Sequence, residues 1–152
     1  AYHCVEQPGL VYYIAGEQAN VLMRDVIIDL AILQTVQATA PALKLAKHGP
    51  TWKEIQSKNG YRVRIVGHPL GWAYPILAVG TVASPGNQFP SESGWNRPFM
   101  IITAVGAPGS SGSPVVNIKN ELVSVIQIGW SRSFSPIMGG VVFLGQPELL
   151  GV

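Results

Sequence analysis

Glycine and proline punctuate this chain at short intervals, and the stretches between them are brief, apolar and rich in β-branched residues. Seventeen glycines and twelve prolines occur in 152 residues. Runs of this kind, bounded by Gly, Pro, Ser and Asn, read as strands. They fall at Val5–Ile14, Val21–Leu33, Tyr61–Val66, Ile76–Ala83, Phe99–Val105, Pro114–Ile118, Leu122–Ile128 and Gly140–Leu144, with turns expected at Pro8-Gly9 and Gly16–Asn20. The pattern predicts an all-β sandwich or barrel rather than a helical bundle. Pro41–Gly60 departs from it: Ala42–Lys47 has short helical character, which Gly49-Pro50 stops. That region reads as a connection between two halves. Ser84–Asn96 reads as a polar surface loop, and Gln146–Val152 as the start of a terminal helix.

A chain of this length makes one domain that buries roughly 68–70% of its unfolded surface. With 47% apolar and 12% charged residues, its composition excludes disorder. No apolar run approaches the ~18–20 residues a membrane-spanning helix needs, and Asp29 interrupts the most hydrophobic stretch. Nor is a signal peptide visible. A net charge of +2, without basic residues interleaved with aromatics, argues against a nucleic-acid partner. Cys4 is the single cysteine, so no disulfide forms within these residues and no zinc-ligand spacing exists. It reads as a small buried thiol, and it weakly disfavours a disulfide-built extracellular domain. No metal or cofactor is expected.

Pro108-Gly-Ser-Ser-Gly-Ser-Pro-Val-Val-Asn117 carries the chemistry. An ordinary Ser/Gly/Pro loop has the same composition. A glycine-flanked serine between two strands, however, exposes a hydroxyl and turns successive N–H groups toward one point, as acyl transfer requires. Ser111 is the preferred nucleophile, with Ser110 and Ser113 as competing hydroxyls. A serine needs an imidazole to take its proton and a carboxylate to fix that imidazole's tautomer. His3 and Asp29 supply these types, with Asp25 as a competing acid. The order His, Asp, Ser, with separations of 26 and 82 residues, is the chymotrypsin order.

Four segments resemble the motifs of trypsin-like serine proteases, and of their HtrA-like branch in particular. Tyr2-His-Cys-Val5 is similar to the tail of Thr-Ala-Ala-His-Cys, and Asp29-Leu-Ala-Ile-Leu33 to Asp-Leu-Ala-hydrophobic-Leu. Gly67-His-Pro-Leu-Gly71 with Val79-Gly-Thr-Val-Ala-Ser84 resembles that branch's Gly-Asn-Pro-hydrophobic-Gly and Gly-hydrophobic-hydrophobic-Ser pair. Pro108-Gly-Ser-Ser-Gly-Ser-Pro114 resembles Pro-Gly-Asn-Ser-Gly-Gly-Pro, and its Ser113 is also familiar from viral and phage members. The resemblance implies a chymotrypsin-like double β-barrel. Residues 1–45 would be the remainder of an incomplete N-terminal barrel, 46–60 the connection and 61–152 the C-terminal barrel. It also implies that residue 1 is not the natural start.

By the same resemblance, Ser111 attacks a peptide carbonyl, His3 acts as general base and then acid, and Asp29 orients His3. The N–H groups of Gly109 and Ser111 would form the oxyanion hole. Val105 would lie at the pocket base, Gln127 and Gly129 on the substrate side of strand 123–129, and Gly140 on the opposite wall. Such a pocket implies a small or medium aliphatic residue before the cleaved bond, because a cation there would be desolvated without a partner. Ser110 replaces the acid that pairs with a newly cut N-terminus in digestive relatives, so that activation is not expected. His48 and His68 read as solvated or locally bonded, and Trp52, Trp72, Trp95 and Trp130 as packing or loop anchors. The expected partner is a polypeptide substrate. A catalytically silent module of the same fold, with a binding or particle-building role, is the alternative. An unrelated β-barrel with accidental motifs would instead leave His3 and Ser111 far apart.

Overall fold

Alternation along short strands builds the larger of two sheets. A computed structural model describes residues 1–26, 28–37, 41–88, 98–104, 108–130 and 148–151. On β5 (Arg62–Gly67), Val63 and Ile65 are buried while Arg62 and Val66 face outward. The same period of two puts Val82 and Ser84 of β6 (Ile76–Gln88) inside, with Met100 and Ile102 of β7 (Pro98–Thr103). Val115 of β8 (Pro114–Asn117) and Ile126 of β9 (Glu121–Trp130) complete one continuous core with them. β10 (Glu148–Gly151) pairs antiparallel with both β7 and β9. The ring β5–β6–β7–β10–β9–β8 is therefore closed, which removes the open edges a flat sheet would leave. β4 (Lys44–Leu45) adds in parallel to the start of β9, Lys44 opposite Glu121.

The second sheet has three antiparallel strands: β1 (Tyr12–Ile14), β2 (Glu17–Asp25) and β3 (Leu30–Thr35). Ala15 and Gly16 join the first two with φ of 51° and 84°. Two successive positive φ values give a hairpin the twist its strands need.

The all-β architecture is as the punctuation predicts; several local assignments are corrected. Only Tyr12–Ile14 of the 5–14 run is strand, and β2 already occupies Glu17–Asn20, where a turn was expected. Turn residues Val26, Ile28 and Asp29 divide the 21–33 run into β2 and β3. Lys44–Leu45 is strand rather than helix, because it pairs with β9. The short helix α1 (Trp52–Ile55) follows Pro50 instead of preceding it. Thr51 and Glu54 form a capping box that fixes its start. β6 continues through Ser84–Gln88, the beginning of the expected loop. Glu148–Gly151 is a strand, not a helix, since its backbone closes the barrel. The expected strand at Gly140–Leu144 lies outside the described residues.

Gly80 of β6 leaves no room for a side chain against the end of β7. A Cβ there would collide with the Thr103 carbonyl oxygen and stand 2.8 Å from both the Thr103 carbonyl carbon and the Ala104 methyl. Backbone cannot yield as a flexible side chain would. Gly80→Ala is expected to destabilise the barrel by about 1–3 kcal/mol, read as a lower denaturant midpoint.

Candidate active site

His3 sits on a single 3-10 turn, Tyr2–Cys4, whose Tyr2 N–H donates to the Asp29 carbonyl at 2.9 Å. That bond docks the N-terminal turn against the loop entering β3. Asp29 then grips His3 with both carboxylate oxygens. The His3 backbone N–H donates to Oδ1 at 2.8 Å, and ring Nδ1–H donates to Oδ2 at 2.8 Å. Asp29 is 5% exposed, whereas the His3 side chain is 42% exposed. The buried acid is thus spent on orientation, and the imidazole presents Nε2 outward. The residue's φ of +50° aims its side chain back at the turn, a conformation that Asp tolerates better than most.

Asp25, the competing acid, has another task. Its Oδ1 accepts from Ile28 N–H at 3.1 Å and so shapes the loop that delivers Asp29. An acid bonding to a backbone N–H three residues on is a local turn signal that the sequence carries.

The three serines differ in access. Ser110 and Ser113 are each 7% exposed, while Ser111 between them is half-buried. Ser113 packs against Gly67, whose missing Cβ leaves room for it. Ser111 Oγ donates to the Gln127 carbonyl oxygen at 3.3 Å, not to His3. The turn itself lies against the His3 segment, since a Cβ on Gly112 would stand 3.4 Å from the Ala1 nitrogen. The hydroxyl and the imidazole are therefore on neighbouring elements, without a hydrogen bond between them.

Backbone geometry sets the turn. Gly109 and Gly112 have φ of 93° and 87°. Gly112 N–H donates to the Ile126 carbonyl at 2.7 Å and Ser113 N–H to Ser110 at 3.0 Å. The Gly109 and Ser111 N–H groups make no hydrogen bond among the described residues. Pro108 is held by its carbonyl, which accepts from Leu70 N–H at 2.6 Å. The 67–71 motif thus supports the serine turn directly.

Gln127, expected on the substrate side, is 1% exposed, and its side chain turns to the loop that carries the acid. Its Nε2 donates to the carbonyls of Ile28 and Asp29, the latter at 3.5 Å. Ile126 before it is in the barrel core, so strand alternation turns Gln127 to the opposite face, against the backbone of Ile28 and Asp29. The residue braces the loop that carries Asp29. Gly129 lies on β9, opposite Leu149 of β10. Val105 and Gly140 lie outside the described residues. Cys4, expected to be buried, is exposed, because the turn that presents His3 carries its neighbour outward too. His48 bonds locally to the Gly49 carbonyl at 2.8 Å. No group of three potential metal ligands occurs among the described residues, and no helix there is long and apolar enough to cross a membrane.

The trypsin-like peptidase domain profile matches residues 11–125, most of the chain. The chain belongs to this peptidase family. Among its relatives, a probable periplasmic DegP-like serine endoprotease of Hahella chejuensis is 30% identical over 115 residues, which is 76% of this chain and 23% of that protein. Its counterpart in Ectopseudomonas mendocina is 29% identical over 116 residues, with the same coverage. The chain thus spans about a quarter of the length of these relatives. Among solved structures, the HtrA-type protease AlgW with a decapeptide superposes at a TM-score of 0.63 and 20% identity, covering 89% of this chain and 36% of that one. Rv3671c from M. tuberculosis H37Rv, in an inactive form, gives 0.62 and 18%, covering 90% and 60%. These likenesses establish a trypsin-like, HtrA-related fold for the chain.

Proposed function

We propose that this chain is the catalytic part of a serine endopeptidase in which Ser111, His3 and Asp29 act together. The observation that carries the reading is the double hold of Asp29 on His3. With Nδ1–H committed to the carboxylate, Nε2 keeps its lone pair and is free to accept a proton. The reaction requires the Ser111 side chain to rotate away from the Gln127 carbonyl and bring its hydroxyl to Nε2. His3 then takes the proton as Oγ attacks the peptide carbonyl, and Asp29 stabilises the imidazolium. His3 returns that proton to the leaving amine, giving an acyl-enzyme. Water, activated by the same imidazole, releases the acid and restores Ser111.

The unengaged N–H groups of Gly109 and Ser111 are suited to the oxyanion. Gly109→Ala would place a Cβ 3.0 Å from the His68 oxygen and 3.1 Å from the Leu70 nitrogen, at a φ that L-residues resist. Displacing this donor is expected to lower kcat by about 10²–10³-fold with little change in KM, measured by steady-state cleavage of a peptide substrate.

By the family resemblance, Val105 at the pocket base and glycine walls at Gly129 and Gly140 favour a small or medium aliphatic residue before the cleaved bond. The three-stranded sheet is read as the remainder of a first barrel within residues 1–45, with 46–60 as the connection and the closed barrel as the second. The AlgW relative is solved with a bound decapeptide, which fits a polypeptide substrate here. One observation favours a silent module instead: the Ser111 hydroxyl rests on Gln127 rather than His3. A fluorophosphonate decides between them. Labelling of the full-length folded protein at Ser111 supports the peptidase, and absence of labelling supports the silent module.

A further inference from the structure

A polar cleft of about 630 Å³ opens between β4, α1, the start of β5 and the β8–β9 turn. Its walls carry four exposed cations, Lys47, Lys53, Arg62 and Lys119, together with His48. None of the four makes an ion pair among the described residues. Seven of the chain's ten Lys and Arg fall at positions 44–64 and 119, so the small net charge of +2 conceals a strongly one-sided distribution.

The two carboxylates in the cleft are already engaged. Glu54 accepts from the Thr51 N–H and hydroxyl, each at 2.8 Å. Glu121 accepts from Asn117 Nδ2 at 3.0 Å and meets Lys44 at 3.7 Å. The backbone bond from Thr51 holds the Glu54 carboxyl below the usual range, and the Asn117 amide does the same for Glu121. Both stay charged, but their charge is directed at their own loops. Four like charges around one concave surface repel one another, and a bound anion relieves that repulsion.

Shape and composition narrow the ligand. The cleft is larger than a single small anion needs, and exposed Ile118 adds an apolar rim. It lacks the row of aromatic faces on which successive bases stack in single-strand binders. We propose that this cleft binds an acidic polypeptide segment, an extended run of Asp or Glu side chains on a partner protein. β8 and β9 separate it from Ser111: Ser111 to Asn117 and Glu121 to Gln127 each span six residues, roughly 20 Å of extended chain. An occupant there leaves the serine turn uncovered, so the site is independent of the hydrolytic reading.

Fluorescence anisotropy of a labelled eight-residue poly-glutamate, titrated with the full-length protein, tests this. Binding is expected at about 50 mM salt, with affinity falling about tenfold by 300 mM as screening shortens the reach of the cations. Matched poly-glutamine should not bind. The double substitution Lys53→Glu with Lys119→Glu should weaken binding at least about tenfold while thermal unfolding is unchanged, since both side chains are exposed. Arg24→Glu, on the other sheet, should leave binding as it was. The proposal is overturned if poly-glutamate fails to bind at low salt, if the double variant binds as tightly as wild type, or if an eight-nucleotide oligothymidylate binds as tightly as the peptide.

Discussion

Ser111→Ala is expected to abolish fluorophosphonate labelling and to lower kcat by roughly 10⁶-fold, with KM and thermal stability close to wild type. The size of the effect follows from the role: without Oγ no acyl-enzyme forms, and only oriented donors and bound water remain. The neighbouring serines sharpen the test. Ser113 is buried against Gly67, and Ser110 is buried within the turn. Neither hydroxyl has the access a substrate carbonyl requires, so Ser113→Ala should retain labelling and most of the activity. Labelling that survives in Ser111→Ala and vanishes in Ser113→Ala would move the nucleophile by two residues. Undiminished hydrolysis in Ser111→Ala would remove the acyl-enzyme from the mechanism altogether.

What the sequence reveals of this architecture is governed by how local each signal is. Gly109 and Gly112 flank Ser111 at positions where the backbone takes positive φ, so the serine turn is visible as a composition. Strands β5 to β9 are legible for the same reason, since they carry their own alternation and Gly/Pro boundaries. Closure is not. Glu148–Gly151 becomes strand only by pairing with β7 and β9, partners far away in the chain, and its own residues have no period that announces it. Lys44–Leu45 is a similar case, because two residues of strand exist only through the β9 backbone beside them. The direction of Gln127 was also hidden. Ile126 and Gln127 are both buried, the first in the barrel core and the second against the Ile28 and Asp29 carbonyls, and a partner 98 residues away leaves no mark in the local pattern. Thr51 and Glu54 stand at capping-box spacing, a local signal that places α1 after Pro50 and that the helical expectation for Ala42–Lys47 overlooks.

The brace beneath the acid links these strands to the chemistry. Gln127 donates its side-chain amide to the carbonyls of Ile28 and Asp29, while its own carbonyl accepts from Ser111. One residue of the closed barrel therefore touches both the serine and the loop that orients His3. The two sheets meet at the site through this residue, and the Tyr2 bond to Asp29 docks the His3 turn beside it. The proposed reaction would depend on the placement of Ile28 and Asp29 as much as on the three side chains themselves.

Asp29→Asn isolates that orientation from every other function of the loop. Asparagine fits the same volume and tolerates the φ of +50° that Asp29 adopts. Its carbonyl oxygen can still accept from the His3 backbone N–H, as Oδ1 does now at 2.8 Å. Its NH2 group then faces Nδ1, and an amide can only donate there. His3 must accept on Nδ1 and carry its proton on Nε2, so no lone pair points at Ser111 and the imidazolium loses its counter-charge. The expected result is a fall in kcat of roughly 10⁴-fold, with KM and the unfolding midpoint little changed. Retention of more than about a tenth of wild-type kcat, a loss of only ~1.4 kcal/mol of transition-state stabilisation, would mean that His3 is not held for catalysis by this carboxylate.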